Sequence, residues 1–195
     1  MAYNSRIHHR KSIRLKGYDY SRDGFYFITI CTQDRKHLFG EIVADVNGEM
    51  ICHLNKYGEI AKKELYKTSE MRKNIKMDCY VIMPNHIHAI VRIENLVGAY
   101  CNTPIQHKEH SNTVIPGNAH GVRFESPSKN LGAIIRGYKS AVTKQINELR
   151  NMLGVPIWQR NYYEHIIRSE QAYKTIHRYI INNPRKWTSD KFLVL

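Results

Sequence analysis

Residues 75–93 read IKMDCYVIMPNHIHAIVRI. β-Branched and aromatic residues fill both halves and Pro84-Asn85 divides them, so the segment reads as two strands joined by a short connection. The second half decides more than the first. Side chains two apart in a strand share a face, so Ile87, Ala89 and Val91 point one way while His86 and His88 point the other. Two imidazoles brought together in this manner can hold one divalent ion with positions left open for a phosphate oxygen and water. Alone, an H-x-H triplet is a weak sign, because two polar residues on the outer side of a strand are common.

Upstream, FYFITICT over residues 25–32 has the composition of a buried strand. Residues 38–46 form a second candidate strand, and Asn47-Gly48 is a hairpin turn signal. Residues 54–66 set Leu54, Tyr57, Ile60, Ala61 and Leu65 near one helical stripe. Downstream, residues 94–130 collect Gly, Pro, Asn and Ser with neither period, as a mobile insertion would. His107, His110 and His120 inside it are read as incidental rather than as metal ligands. Residues 131–150 give the clearest helix, with Leu131, Ile134, Ile135, Tyr138, Val142, Ile146 and Leu149 on one stripe and Gly154 and Pro156 beyond its end. Residues 163–168 suggest a short strand, and Ser169 caps a helix over residues 170–182 that Pro184 stops. The order β, β, α, β, β, α, β, α implies an α+β fold, a ferredoxin-like antiparallel sheet with helices packed on one face.

The chain has 195 residues, which suits one domain with a basic N-terminal arm over residues 1–16 and the insertion at 94–130. Its longest apolar runs fall far short of the roughly 20 residues a membrane helix needs. No apolar signal core follows Met1, so a cytoplasmic location is expected, nucleoid-associated if the cell is bacterial. Lys and Arg number 30 against 17 Asp and Glu, a net charge of +13, and the pI is near 9.6. That surplus points to a polyanionic partner: nucleic acid, ribosome or anionic membrane surface. Cys31, Cys52, Cys79 and Cys101 form no C-x-x-C pair, which disfavours a zinc ribbon or finger and leaves reduced thiols.

The string YVIMPNHIHAIV resembles the HUH motif of single-tyrosine transposases, the insertion-sequence family that cuts single-stranded DNA, and its branch associated with repetitive extragenic palindromes. IRLKGYDYSRDGFYFITICTQDRKHLFG near the front, LGAIIRGYKSAVTKQIN in the long helix, and WQRNYYEHIIRSE with YIINNPRKW near the end look like segments of that same branch. Together they cover most of the chain outside the stretch after Glu94. The resemblance implies that Tyr179 attacks a DNA phosphodiester to give a 5′-phosphotyrosine. It also implies that Asn183, one helical turn on at i+4, joins His86 and His88 as third metal ligand. Pro184 disfavours helical geometry at Asn183, so a slightly unwound helix end is expected there.

Other tyrosines compete for the nucleophile's place. Tyr138 lies on an apolar stripe and Tyr173 falls six positions before Tyr179, so both read as packing residues. Tyr162 and Tyr163 precede a strand and suit either base stacking or packing. The site would take Mg2+ or Mn2+, bound weakly because two imidazoles and an amide carry no charge. Phosphate contacts are expected from Lys11, Arg14, Lys16, Arg136, Lys139, Lys144 and Arg160, and stacking surfaces from Trp158, Tyr162 and Tyr163. The partner would be single-stranded DNA with a hairpin; a homodimer is left open. Two other classes compete: a hairpin-binding protein without activity, and a metal-dependent nuclease that uses water. A covalent protein–DNA adduct separates the first reading from both.

Overall fold

The computed structural model describes residue 15, residues 18–95 and residues 130–193. Of the basic arm only Leu15 is described, so Lys11, Arg14 and Lys16 lie outside the described residues, as do Cys101 and nearly all of the insertion, with its three histidines. β1 (Gly24–Cys31) is followed by a hairpin of β2 (Gly40–Ala44) and β3 (Met50–Leu54), then α1 (Lys56–Met71), β4 (Ile75–Met83), β5 (His86–Ile93), α2 (Leu131–Leu149), β6 (Tyr163–Ile167) and α3 (Glu170–Ile181). The main sheet is antiparallel in the order β4-β5-β1-β6. Set the hairpin aside and the remainder runs βαββαβ followed by α3, the ferredoxin-like arrangement the sequence implies with one further helix.

The sheet's two faces explain the positions of the helices. Tyr26, Ile28 and Ile30 of β1 and Ile87, Ala89, Val91 and Ile93 of β5 join Ala61 and Leu65 of α1 and Leu131, Ile134, Tyr138, Val142 and Ile146 of α2 in the main core. The opposite face is smaller: Phe27, Cys79, Ile90 and Ile167 pack against Ile180 of α3, with Ala172, Tyr173 and Ile176 at the margin. Helices therefore cover both faces, which corrects the expectation of one covered face. The third helix has only one fully buried apolar residue, Ile180, so its contribution to the sequence pattern is thin.

Local signals account for the helix limits. Asn55 caps α1 through its side-chain oxygen, which accepts from the Tyr57 and Gly58 amides, so the helix starts two residues after the expected position and runs on to Met71. Gly58 has a packing reason: a Cβ there would lie 2.2 Å from the Phe39 carbonyl oxygen. Asn130 and Ser169 cap α2 and α3 in the same way, accepting from Ala133 and Ala172. The turn signal at Asn47-Gly48 is real, with Gly48 at φ +76°, but the loop runs from Asp45 to Glu49 and its return strand, β3, is missing from the sequence-derived order. Met50 and Ile51 of β3 are exposed, so no buried stripe announces it.

Both ends of the insertion are tied to one place. Asn95 donates its amide to Asp23 and its side-chain nitrogen to the Ser21 carbonyl, while the Leu131 amide donates to the Tyr20 carbonyl. Removing residues 101–120 is therefore expected to change the unfolding free energy by no more than about 1 kcal/mol, since closing the shorter loop between fixed ends is cheap. Urea titration checks this, and a chain that no longer folds would show that the insertion carries structure of its own.

Candidate active site

Register brings the chemistry together. Cys31 pairs with His86 and Thr29 with His88 across β1 and β5, so both histidines face α3 at one end of the strands. They are wholly buried rather than on a solvated face, with ring centroids 4.5 Å apart. Thr29 Oγ1 lies 2.8 Å from His88 Nδ1, and Asn85 Oδ1 lies 2.8 Å from His86 Nδ1. These contacts leave both Nε2 atoms toward the site. Tyr179 near the end of α3 places its hydroxyl 3.1 Å from His88 Nε2. Among the described residues neither His86 Nε2 nor Asn183 Oδ1, both buried, meets a partner in hydrogen-bond geometry.

Asn183 follows the helix rather than ending it in a turn. α3 finishes at Ile181, but Asn183 keeps right-handed helical geometry, φ −60° and ψ −43°, against the expectation drawn from Pro184. That proline begins a 3₁₀ turn, Pro184–Ser189, so the chain tightens instead of unwinding. Asp190 then accepts from Asn183 Nδ2 at 3.2 Å, which directs the amide oxygen away from the carboxylate and leaves it as a donor atom beside His86 and Tyr179. Among the described residues no cluster of three His, Cys, Asp or Glu forms. The set of His86, His88 and Asn183 fits a divalent ion nonetheless, because its third donor is an amide and two of its buried atoms lack partners.

Electrostatics keep the imidazoles neutral and the phenol protonated at rest. Burial pushes His86 down to about 4, opposed by the Asp190 carboxylate and the Asn183 amide. His88 is held well below its ordinary value by burial, with His86 and Lys191 adding to the effect. Tyr179 is raised, first by burial and then by Asp190, while Asn183 opposes. Neutral imidazole is the form that binds a metal. A stability consequence follows. Below about pH 6.5 the unfolded histidines take up protons that the folded ones refuse, so stability falls as pH drops from 6.5 toward 4. Melting temperatures measured across that interval are expected to decline in the native chain and less in His86→Gln; equal slopes in both would contradict it.

The surrounding groove, about 710 Å3, is lined by Phe27, Thr29, Arg35, Tyr163, Lys186, Lys191 and Phe192 as well as by His88, Tyr179 and Asn183. Phe192 sits over the imidazoles, its ring centroid 4.6 Å from that of His86 and 5.7 Å from that of His88. Arg35 holds this segment by donating to the Lys191 carbonyl at 2.9 Å. Access to the two ring nitrogens therefore runs past Phe192.

Of the residues read as DNA contacts, Tyr163 is exposed at this groove with its ring 6.1 Å from Phe27. Arg136, Lys144 and Arg160 are exposed on and beside α2, and Lys144 and Arg160 line a second groove of about 510 Å3. Tyr162 is half-buried against the main core. Two assignments are corrected. Trp158 is buried, donates Nε1 to the Lys139 carbonyl at 3.1 Å and packs against Phe39 and Tyr138, so it offers no stacking face. Lys139 is half-buried and spends its ammonium on the Gln159 and Asn161 carbonyls. Tyr138 is core, as expected, and Tyr173 donates to Asp78 at 2.5 Å on the far part of α3. Arg35, Lys186 and Lys191 were not singled out by sequence; only the folded C-terminal segment brings them to the site.

No protein-family model matches the chain. A structure of the REP-associated tyrosine transposase bound to a REP hairpin aligns over 92% of this chain and 77% of that one, with a TM-score of 0.53 and 17% sequence identity. A Deinococcus radiodurans structure aligns over 88% and 97% at 15% identity with a TM-score of 0.43, too low to bear on the fold. The fold is HUH tyrosine transposase-like. In sequence, the chain is 41% identical over 192 residues to an uncharacterised protein of Haemophilus influenzae, covering 98% of this chain and 97% of the other. It belongs to that protein's family.

Proposed function

We propose that this chain is a transposase-like nickase and strand transferase for single-stranded DNA beside a hairpin, working through a 5′-phosphotyrosine on Tyr179. The observation that carries the reading is that His88, Asn183 and the Tyr179 hydroxyl line one groove, with the His86 ring packed 4.5 Å from that of His88, and that among the described residues His86 Nε2 and Asn183 Oδ1 are buried without a hydrogen-bond partner. The hairpin-bound protein that shares the fold supports the choice of substrate.

A divalent ion such as Mg2+ or Mn2+, held by His86, His88 and Asn183, would supply polarisation of the scissile phosphate and stabilise charge on the departing oxygen. The protein's own groups do the rest. Phe27 and Ile180 fix the base of α3, so Tyr179 stays over the histidines. Arg35, Lys186 and Lys191 line the groove and suit phosphate oxygens, while the exposed Tyr163 ring offers a face for an unpaired base. In the reaction the Tyr179 oxygen bonds to phosphorus, the bond to the 3′ oxygen breaks, the phenol loses its proton and the 3′ oxygen gains one. One phosphodiester replaces another, so a second 3′-hydroxyl can reverse the exchange and rejoin DNA without ATP.

The substrate test compares a single-stranded oligonucleotide carrying a stem-loop with the same sequence as a perfect duplex, each with Mn2+. Cleavage of the first and little of the second is expected; equal cutting contradicts the reading. Binding should also weaken steeply between 50 and 200 mM salt, by roughly 10³-fold if about six phosphates are contacted. An affinity that is flat in salt would remove nucleic acid as the partner.

A further inference from the structure

Asn85 has no exposed surface. Its side-chain nitrogen donates to two backbone carbonyls, Arg35 at 3.2 Å and Phe192 at 2.7 Å. Carbonyl oxygens only accept, so the nitrogen end of the amide is fixed on that side; turned over, Asn85 would set its own oxygen against two others. Its Oδ1 consequently faces His86 Nδ1 at 2.8 Å. An amide oxygen cannot donate, so Nδ1 must carry the hydrogen, and a neutral imidazole has only one. The lone pair then resides on Nε2, the buried atom without a partner. Thr29 does not decide the matter for His88 in the same way, because a hydroxyl either donates or accepts.

We infer that Asn85 is a positioning residue that locks His86 in its Nδ1–H tautomer and so aims the Nε2 lone pair at the place shared with His88 and Asn183. The inference rests on the metal reading of the site given above and deepens it. In water the Nε2–H tautomer of histidine is the more stable, so the ligand form has to be imposed. Asn85 imposes it with an amide whose orientation is set by two distant stretches of chain, the turn after β1 and the C-terminal segment. Such a partner acts as outer-shell groups do at metal-binding histidines, fixing tautomer and ring direction together.

The test uses the full chain labelled with 15N at histidine, with the His86 resonances assigned by their loss in His86→Gln. Imidazole 15N shifts give the tautomer, and titration with Mn2+ alone, followed by electron paramagnetic resonance, gives the affinity. The native chain is expected to show Nδ1–H at His86. Asn85→Ala should move His86 toward Nε2–H and weaken Mn2+ binding about 10-fold or more, the usual consequence of losing an outer-shell partner. Asn85→Asp keeps an acceptor oxygen toward Nδ1 but sets its other oxygen against the Arg35 and Phe192 carbonyls, so it should retain the tautomer and lose less affinity than Asn85→Ala even where the C-terminal segment loosens. An Nε2–H His86 in the native chain overturns the inference, as does an Asn85→Ala variant that binds Mn2+ like the native chain. Equal loss of affinity in the Ala and Asp variants with the tautomer unchanged would reduce Asn85 to an anchor of the C-terminal segment, and overturn it too. A native chain that binds no Mn2+ brings down the metal reading instead, and the tautomer measured in it still decides the part played by Asn85.

Discussion

Tyr179→Phe is expected to abolish the covalent protein–DNA adduct and to lower single-strand cleavage by at least ~10³-fold, because losing a covalent nucleophile leaves only binding and electrostatic assistance. The fold should survive. The residue is partly exposed and its hydroxyl bonds to His88 Nε2, so removal of the hydroxyl should cost about 0.5–1.5 kcal/mol. Affinity for a hairpin oligonucleotide should change little, since the ring stays in place against Phe27. Adduct gels and urea titrations on the same preparation read these quantities side by side. A tyrosine that merely packs would give the opposite pattern, with activity untouched.

His86→Ala should produce the second largest effect, through the ion rather than the nucleophile. It removes a buried nitrogen without a partner, so metal-dependent cleavage should fall by more than the roughly 10–100-fold that follows loss of an outer-shell partner. High Mn2+ should restore part of the activity, because fewer ligands still hold the ion. The same change empties space beneath Phe192 and beside Trp187, so stability must be measured too. Loss of activity that tracks loss of folding, with no response to Mn2+, would make His86 a packing residue.

The contrast between those variants also shows what the chain spells out in advance. The pairing of His86 with His88 was legible because a strand alternates faces every residue, and the spacing of Tyr179 and Asn183 because a helix repeats every 3.6. The β4–β5 hairpin, α2 and the cap at Ser169 were legible for similarly local reasons. β3 was not: its outer residues are exposed and it packs as an arm beside the main sheet. Covering of the second sheet face was hidden because α3 buries only Ile180 fully. Trp158 looked like a stacking surface until tertiary packing placed it between Phe39 and Tyr138. Asn85 and the basic residues of the groove depend on contacts over long separations, with Phe192 lying 107 positions from Asn85. No periodicity reports such a contact.

Mass spectrometry of the adduct tests the central claim most directly. The native chain would be incubated with Mn2+ and a single-stranded oligonucleotide bearing a stem-loop, digested with protease and nuclease, and searched for a tyrosine carrying a 5′-linked nucleotide. The account predicts that modification on the peptide containing Tyr179. Modification of Tyr163 or Tyr173 instead, or cleaved DNA with no modified tyrosine at all, would contradict it.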